Sequence, residues 1–547
     1  MQWHLASVWE TVADAVPEAP AVVNGDLRRS WREYEDRAAR IAGVLAAAGH
    51  GPGAKVAVYA HNSNAFLEAY FGAFKLRAVP VNVNYRYTEG ELVYLLDNAD
   101  AEALVFDARF TPRVDAIRAR LPLLRTLIEI DDGSGLHLQG ASRFEEAIAA
   151  HDPYPRQVYA EDDLFIIYTG GTTGMPKGVM SLMGDRARVG VAQGFAALGL
   201  PPPASPEAFT ASIRQVHAEG RAHVSLVACP LMHGTGLTGG AHRPQLAGAC
   251  AVTLRAEHFD ADALWQVVER EKVTQIAVVG DTFARPMVAA LEAAAAAGRP
   301  YDLTSLKAIV SAGVMFSREI KEGLLRHVDI AIHDAMAATE GAMATSVVSR
   351  ASPPVDTANF ARNPLTKVFD DNDREVLPGS EAIGMIAAGG PGPVGYYKDP
   401  EKSARTFRVI DGQRYAFPGD YAKVAADGSL ILLGRGSNCI NTGGEKVFPE
   451  EVEEALKAHP DVEDCLVLGV PDERFGQRIT AVLSLAEGRP LDEAGLLAFV
   501  RTRLAGYKTP RRLIVVGQVQ RSPSGKADYA WAKLVATTGQ PVRPTIA

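Results

Sequence analysis

The 547-residue chain contains only four cysteines, Cys229, Cys250, Cys439 and Cys465, and their spacing forms neither a metal-ligand pattern nor a disulfide framework. That excludes a disulfide-stapled secreted scaffold and makes reduced thiols in a cytoplasmic protein the expected state. Long apolar runs are missing as well, and no stretch approaches the roughly 20 residues a bilayer crossing requires. The opening Met1-Gln2-Trp3-His4-Leu5 has no basic region ahead of an apolar core, so no signal peptide is expected. A positive surplus is also lacking. Lys and Arg number 56 against 65 Asp and Glu, and the formal charge of −9 argues against nucleic acid as the main partner. No self-similarity appears at the period of about 20–50 residues that marks repeat architectures. Gly390-Pro391-Gly392-Pro393-Val394-Gly395 satisfies G-x-G-x-x-G only formally, since two prolines and no following helix exclude a dinucleotide fingerprint.

What is present is an ordinary globular composition, 47% hydrophobic and 22% charged, on a chain too long for one core. Its most informative string is Tyr168-Thr169-Gly170-Gly171-Thr172-Thr173-Gly174-Met175-Pro176-Lys177-Gly178. It follows the apolar run Leu164 to Ile167, which predicts a buried strand with a flexible loop at its carboxyl end. Glycines free the backbone to curl N–H groups around an oxyanion, the threonines add hydroxyl donors, and Lys177 adds a mobile positive charge. These are the parts of a phosphate cradle. The spacing is not that of a P-loop NTPase, because Pro176 stands where a second glycine must precede the lysine. A short Gly/Thr loop taken alone is equally well a bland surface loop.

Helical and extended patterns alternate along most of the chain, which predicts an α/β fold with largely parallel sheets. Ser30-Trp31-Arg32-Glu33 reads as a capping box, followed by one helical face at Tyr34, Ala38, Ile41 and Leu45. Lys55 to Ala60, Ala103 to Phe106 and Gln275 to Val279 read as strands. Gly199 to Glu207, with three consecutive prolines, reads as an exposed excursion. The pattern restarts after Arg435 to Asn438, with a helix over Glu450 to Ala458, a strand over Cys465 to Val470 and a helix over Leu496 to Leu504. That piece is the size of a small independent domain.

The eleven-residue string resembles the phosphate loop of the adenylate-forming superfamily, which contains acyl-CoA synthetases, peptide-synthetase adenylation domains and luciferases. The likeness continues in order through most of the chain. It implies a large N-terminal domain, residues 1–435, of two parallel-sheet subdomains and a small β-barrel, and a small mobile α+β C-terminal domain, residues 438–547, with a hinge where this chain carries Ser437 in place of the usual Asp or Lys. In Pro230-Leu231-Met232-His233-Gly234 it places His233 beside the reacting carboxylate or the thiol; a lone His among glycines is otherwise more often structural. In Ala338-Thr339-Glu340 it gives Thr339 a phosphate hydrogen bond and Glu340 a Mg²⁺ ion, where sequence alone would read an exposed Glu at a helix start. ATP contacts are implied for Thr169, Gly170, Gly171, Thr172, Thr173, Gly174, Lys177, Gly313, Asp334 and Met336. The ribose is implied to meet Asp420, in Tyr415 to Asp420, and Arg435; a simple Gly-Asp turn is the rival reading of the former. Gly443, Gly444 and Glu445 would line a CoA tunnel, Lys508 would meet CoA phosphates, and Lys526, in Arg521 to Lys526, would serve adenylation. A solvent-exposed lysine is the default reading of Lys526 without its motif.

Resemblance is closest to bacterial ligases for long fatty acids and for bulky polycyclic or steroid side-chain acids, carried by Tyr168 to Met180, Gly280 to Pro286 and Val394 to Pro400. The chain departs from the family where Met336 replaces the tyrosine that stacks on adenine and Ala337 replaces the following glycine. Methionine keeps a polarizable surface for the base, whereas the alanine methyl intrudes where backbone approaches nucleotide. The implied activity is an AMP-forming acyl-CoA synthetase using ATP, Mg²⁺, a small-molecule carboxylic acid and CoA, with room for a homodimer. Rival readings are a ligase that only thioesterifies a preformed acyl-adenylate, a loader of carrier-protein pantetheine arms, and a non-catalytic acyl- or nucleotide-binding protein. Retention of Lys177, Glu340, Asp420 and Lys526 together argues against the last.

Overall fold

The computed structural model describes residues 1–171, 174–254, 259–314, 316–353, 359–442, 445–472, 475–504, 506–522 and 525–539. These form two compact units: Met1–Gly341 with Val347–Pro354 and Gly390–Arg408, and Ala342–Ser346 with Val355–Gly389 and Val409–Ala547. The fold is mixed α/β, with parallel sheets in a large N-terminal portion and a smaller C-terminal α+β portion. No helix among the described residues is long and apolar enough to cross a membrane.

The first unit holds two parallel sheets. One runs in the order Val79–Asn82, Lys55–Tyr59, Ala101–Asp107, Thr126–Ile130, Ser142–Arg143. The other includes Pro20–Asn24, Cys250–Thr253, Val224–Val227, Gln275–Val278, Ala308–Ala312 and Ala331–Ala338, again parallel throughout. Helix Trp31–Ala47 starts as its sequence dictates. Ser30 Oγ accepts from Glu33 N–H at 3.2 Å and Glu33 Oε2 accepts from Ser30 N–H at 2.8 Å, so two otherwise orphaned donors are satisfied. Its predicted face, Tyr34, Ala38, Ile41 and Leu45, is fully buried. Gly72 of the next helix, Asn64–Lys75, lets the two approach: an added Cβ would lie 2.6 Å from Ile41 Cγ2. The excursion ends earlier than the sequence predicts, because Ser205 caps a helix that opens on a proline, Pro206–Ala218.

In the second unit, Asn359–Arg362, Leu430–Arg435, Asp420–Val424 and Gly384–Gly389 make an antiparallel sheet. The C-terminal portion wraps Pro449–Lys457, Glu493–Arg501 and Tyr529–Thr538 around Val462–Asp472 and Gly476–Leu485, the latter paired in parallel with Arg512–Val515. Each helix and strand expected here from periodicity is found, shifted by a few residues at its ends.

Candidate active site

The expected strand is present as Leu164–Gly171, and the string that continues it folds back as a β-hairpin. Leu164–Gly171 pairs antiparallel with Gly174–Leu182, placing Tyr168 opposite Gly178 and Thr169 opposite Lys177. The physical reason is the run Lys177 to Leu182, apolar enough to return along the first strand. Gly178 is required by packing, since an added Cβ would lie 2.9 Å from two atoms of the Tyr168 ring. The tip residues Thr172 and Thr173 lie outside the described residues.

A third strand, Gly395–Tyr396, joins the hairpin with Tyr396 opposite Val179. This register gathers the site's charges. The Tyr396 hydroxyl donates to Glu340 Oε1 at 2.6 Å. The Lys402 ammonium lies 4.8 Å from the Tyr396 ring centroid and that of Lys177 lies 6.0 Å from it. Lys177 Nζ is also 3.7 Å from Asp399 Oδ2, and Asp399 caps helix Pro400–Thr406 by accepting from Lys402 N–H. Burial, then the Lys177 charge, pulls Lys402 down to about 8 against the attraction of Glu340 and Asp399. Burial and Glu340 push the Tyr396 phenol up, so it stays a donor. Two ammonium groups held this close favour an oxyanion between them, as phosphate chemistry requires. Tyr396 and Lys402 went unread in the sequence; the lysine three residues after Asp399 was the available signal.

Glu340 sits in a turn following strand Ala331–Ala338, not at a helix start. With Oε1 engaged by Tyr396, it offers one further carboxylate oxygen. Among the described residues no group of three or more His, Cys, Asp or Glu is placed to hold a metal alone. A single carboxylate completed by phosphate oxygens and water is the donor set Mg²⁺ takes, so the residues fit that ion. Along the same strand burial alternates. Ile332, Asp334 and Met336 face inward, and Asp334 accepts from Lys321 Nζ at 2.7 Å, an ion pair in the core. Gly313, just past strand Ala308–Ala312, has φ +97°, a conformation glycine adopts at little cost.

The segment bearing His233 is held by two asparagines that sequence reading missed. Asn62 donates to Cys229 O at 3.0 Å and accepts from Leu231 N–H at 2.7 Å. Asn82 donates to Met232 O at 2.7 Å and to Tyr168 O at 2.8 Å, and accepts from Tyr168 N–H at 2.8 Å. Its amide thus completes the edge of the phosphate hairpin while tying it to the His233 segment. After His233, Thr235–His242 winds as π-helical turns, a geometry frequent at functional sites.

In the second unit, Asp420 stands directly opposite Arg435 in the antiparallel pair, so two residues fifteen positions apart become neighbours. The turn Gly436–Asn438 follows. Lys508 donates to Glu451 Oε2 at 2.5 Å. Lys526 is exposed on a short loop, closed by Ser522 N–H to Lys526 O at 2.8 Å. Arg521 anchors that loop with two bonds of 2.6 and 2.7 Å to Asp464. Burial would raise the Asp464 carboxyl, but Arg521 and Lys457 outweigh it and hold it at about 2. Gly443 and Gly444 lie outside the described residues, as does the side chain of Glu445; Thr169 lies in the first hairpin strand and Thr339 in the turn that carries Glu340.

The fold defines an AMP-binding class of enzymes. Residues 9–397 match the AMP-binding enzyme family and residues 451–526 its AMP-binding enzyme C-terminal domain, and the chain belongs to that family. It is 41% identical over 541 residues to the medium/long-chain-fatty-acid–CoA/3-oxocholest-4-en-26-oate–CoA ligase of Mycolicibacterium smegmatis, covering 97% of this chain and 96% of that one. It is 38% identical over 545 residues to the 3-oxocholest-4-en-26-oate–CoA ligase of Rhodococcus rhodochrous, with 97% and 96% covered. The fold is shared with the crystal structure of an anthranilate CoA ligase in complex with anthranoyl-AMP, at a TM-score of 0.84, 23% identity and 98% coverage of both chains.

Proposed function

We propose that this chain joins a bulky or long-chain carboxylic acid to CoA in two steps through an acyl-adenylate. The chain is an AMP-forming acyl-CoA synthetase. A substrate carboxylate oxygen attacks the α-phosphorus of ATP and pyrophosphate leaves; the CoA sulfur then attacks the acyl carbon and AMP leaves. The observation that carries this reading is the convergence of Lys177, Lys402, Tyr396 and Glu340 beside the hairpin. The two ammonium groups bind and neutralise the phosphates, and Tyr396 holds Glu340 in one orientation. When bound by Glu340 and phosphate oxygens, Mg²⁺ would supply further charge neutralisation. His233, Thr339 and Gly313 are read as lining the reacting carboxylate and nucleotide, Asp420 and Arg435 as the ribose clamp, and Lys526 as the adenylation lysine. Gly443, Gly444, Glu445 and Lys508 are read as the CoA side.

We read residues 1–435 and 438–547 as the two working domains, pivoting at the Gly436–Asn438 turn so that one acyl site serves both steps. Four free cysteines, three of them buried, support a cytoplasmic placement. A homodimer fits the family resemblance and is decided by light scattering.

Removing the Tyr396 hydroxyl with Tyr396→Phe should raise the Mg²⁺ concentration needed for half-maximal adenylation about 10- to 100-fold, the range for losing a group that orients a metal ligand. Titration of Mg²⁺ at fixed ATP reads this, and an unchanged midpoint would remove Glu340 from the metal. Met336, buried in the strand, motivates the second reading, thioesterification alone. Met336→Tyr with Ala337→Gly should tighten ATP several-fold, a stacked aromatic contact being worth about 0.5–1.5 kcal/mol. Calorimetry on both proteins decides: tight, unimproved wild-type binding makes Met336 and Ala337 tolerated variants, while undetectable wild-type binding beside brisk use of supplied acyl-adenylate favours thioesterification alone.

A further inference from the structure

The short loop that carries Lys526 is clasped on both sides. Before the lysine, Arg521 engages every nitrogen of its guanidinium. Nε donates to Asp464 Oδ2 at 2.6 Å, one amino nitrogen donates to Asp464 Oδ1 at 2.7 Å, and the other to Gly525 O at 3.2 Å. A guanidinium fork on a carboxylate fixes orientation as well as position. Ser522 closes the loop from within: its N–H donates to Lys526 O at 2.8 Å, its Oγ accepts from Lys526 N–H at 3.1 Å, and its carbonyl accepts from Gly525 N–H at 2.8 Å. Gly525, at φ +73°, makes the turn that delivers the lysine. Arg521 and Ala527 then pair as an antiparallel bridge across it.

After the lysine, Asp528 caps helix Tyr529–Thr538 by accepting from Trp531 N–H at 2.9 Å. Tyr529, the first residue of that helix, donates its hydroxyl to Glu453 Oε1 at 2.9 Å, and the same oxygen accepts from Val467 N–H at 2.8 Å. Two carboxylates, Asp464 and Glu453, therefore hold the two ends of the loop. Lys457, one turn beyond Glu453 on helix Pro449–Lys457, lies 3.1 Å from Asp464 Oδ1, so two cations meet two anions and the charge is balanced. Exposed loops are ordinarily the mobile parts of a domain. Here the backbone on both sides of an exposed lysine is hydrogen-bonded, and the bonds lead back to a buried carboxylate pair.

We infer that Arg521, held by Asp464, is a positioning residue for adenylation: it fixes the backbone from which Lys526 reaches the reacting carboxylate and the α-phosphate, and it serves that step alone. The inference rests on the reading of Lys526 as the adenylation lysine. A lysine side chain has a long flexible stem, so a charge that must be preorganised at a transition state depends on where its backbone is held. Tyr529 on Glu453 secures the other end of the same loop and acts in the same direction.

The test is a double-mutant cycle on the full chain, with the two half-reactions measured separately. Arg521→Met should lower kcat for acyl-adenylate formation about ten- to hundredfold, the range for misplacing a catalytic group by about 1 Å. Conversion of supplied acyl-adenylate to CoA ester should stay within about twofold of wild type. Arg521→Lys keeps a charge opposite Asp464 but loses the fork and the bond to Gly525 O, so it should recover only part of the loss. Placed in a Lys526→Ala background, Arg521→Met should lower the residual adenylation by less than about twofold, because no lysine remains to be positioned. An arginine that merely stabilises the domain would depress both half-reactions together and would act undiminished in the Lys526→Ala background; either result overturns the inference. Should Arg521→Met fail to fold, Arg521→Lys carries the same cycle and the same criteria. Lys526→Ala adenylating at the wild-type rate would defeat the reading of Lys526 itself, whereas a full Lys526→Ala loss beside silent Arg521 variants would defeat the positioning role alone.

Discussion

Lys526→Ala should reduce acyl-adenylate formation by roughly 10²-fold or more, the cost of removing a preorganised charge from the transition state of the first step. Thioester formation from supplied acyl-adenylate should be nearly unchanged, because no phosphorus is attacked in that step. The asymmetry is the informative part. Lys526 is exposed on a loop that Arg521 and Asp464 hold in place, so alanine there removes a charge without emptying a core. Single-turnover measurement of pyrophosphate and of CoA ester separates the steps, and equal loss in both would exclude an adenylation-specific role.

The second large effect is expected from an uncharged side chain. Asn82→Ala strands three buried backbone groups, Tyr168 N–H, Tyr168 C=O and Met232 C=O. Leaving them unpaired should cost about 2–4 kcal/mol of stability. Activity should fall further than stability explains, because one side chain positions both the phosphate hairpin and the His233 segment. Asn82→Asp discriminates this from loss of volume: it can accept from Tyr168 N–H but cannot donate to either carbonyl, so it should be no better than alanine. Urea denaturation checks both, and a loss within about 0.5 kcal/mol would show that water replaces the amide.

Both predictions bear on what could be read without coordinates. The eleven-residue string disclosed its chemistry because glycine, threonine and lysine at that spacing are the parts of an anion site. It did not disclose its hairpin, since nothing before Lys177 announces that the chain turns back to pair antiparallel. Ser30 and Glu33 located a helix start to the residue because both halves of the capping box are local. Asp420 and Arg435 were nameable individually, while their cross-strand pairing depended on a register set by two strands. Asn62, Asn82 and Tyr396 were illegible for one shared reason: each acts on a residue more than fifty positions away, and a lone Asn or Tyr carries no local pattern.

The central claim is that one chain performs adenylation and thioesterification in sequence. Its most direct test follows acid-dependent release of pyrophosphate from ATP, first without CoA and then with it, using a long-chain and a steroid side-chain acid on the same wild-type preparation. The account predicts a single burst of pyrophosphate, about one per active site, when CoA is withheld, and on addition of CoA steady turnover with AMP, pyrophosphate and acyl-CoA in equal amounts. No acid-dependent pyrophosphate under either condition, while supplied acyl-adenylate is converted to acyl-CoA, would contradict it.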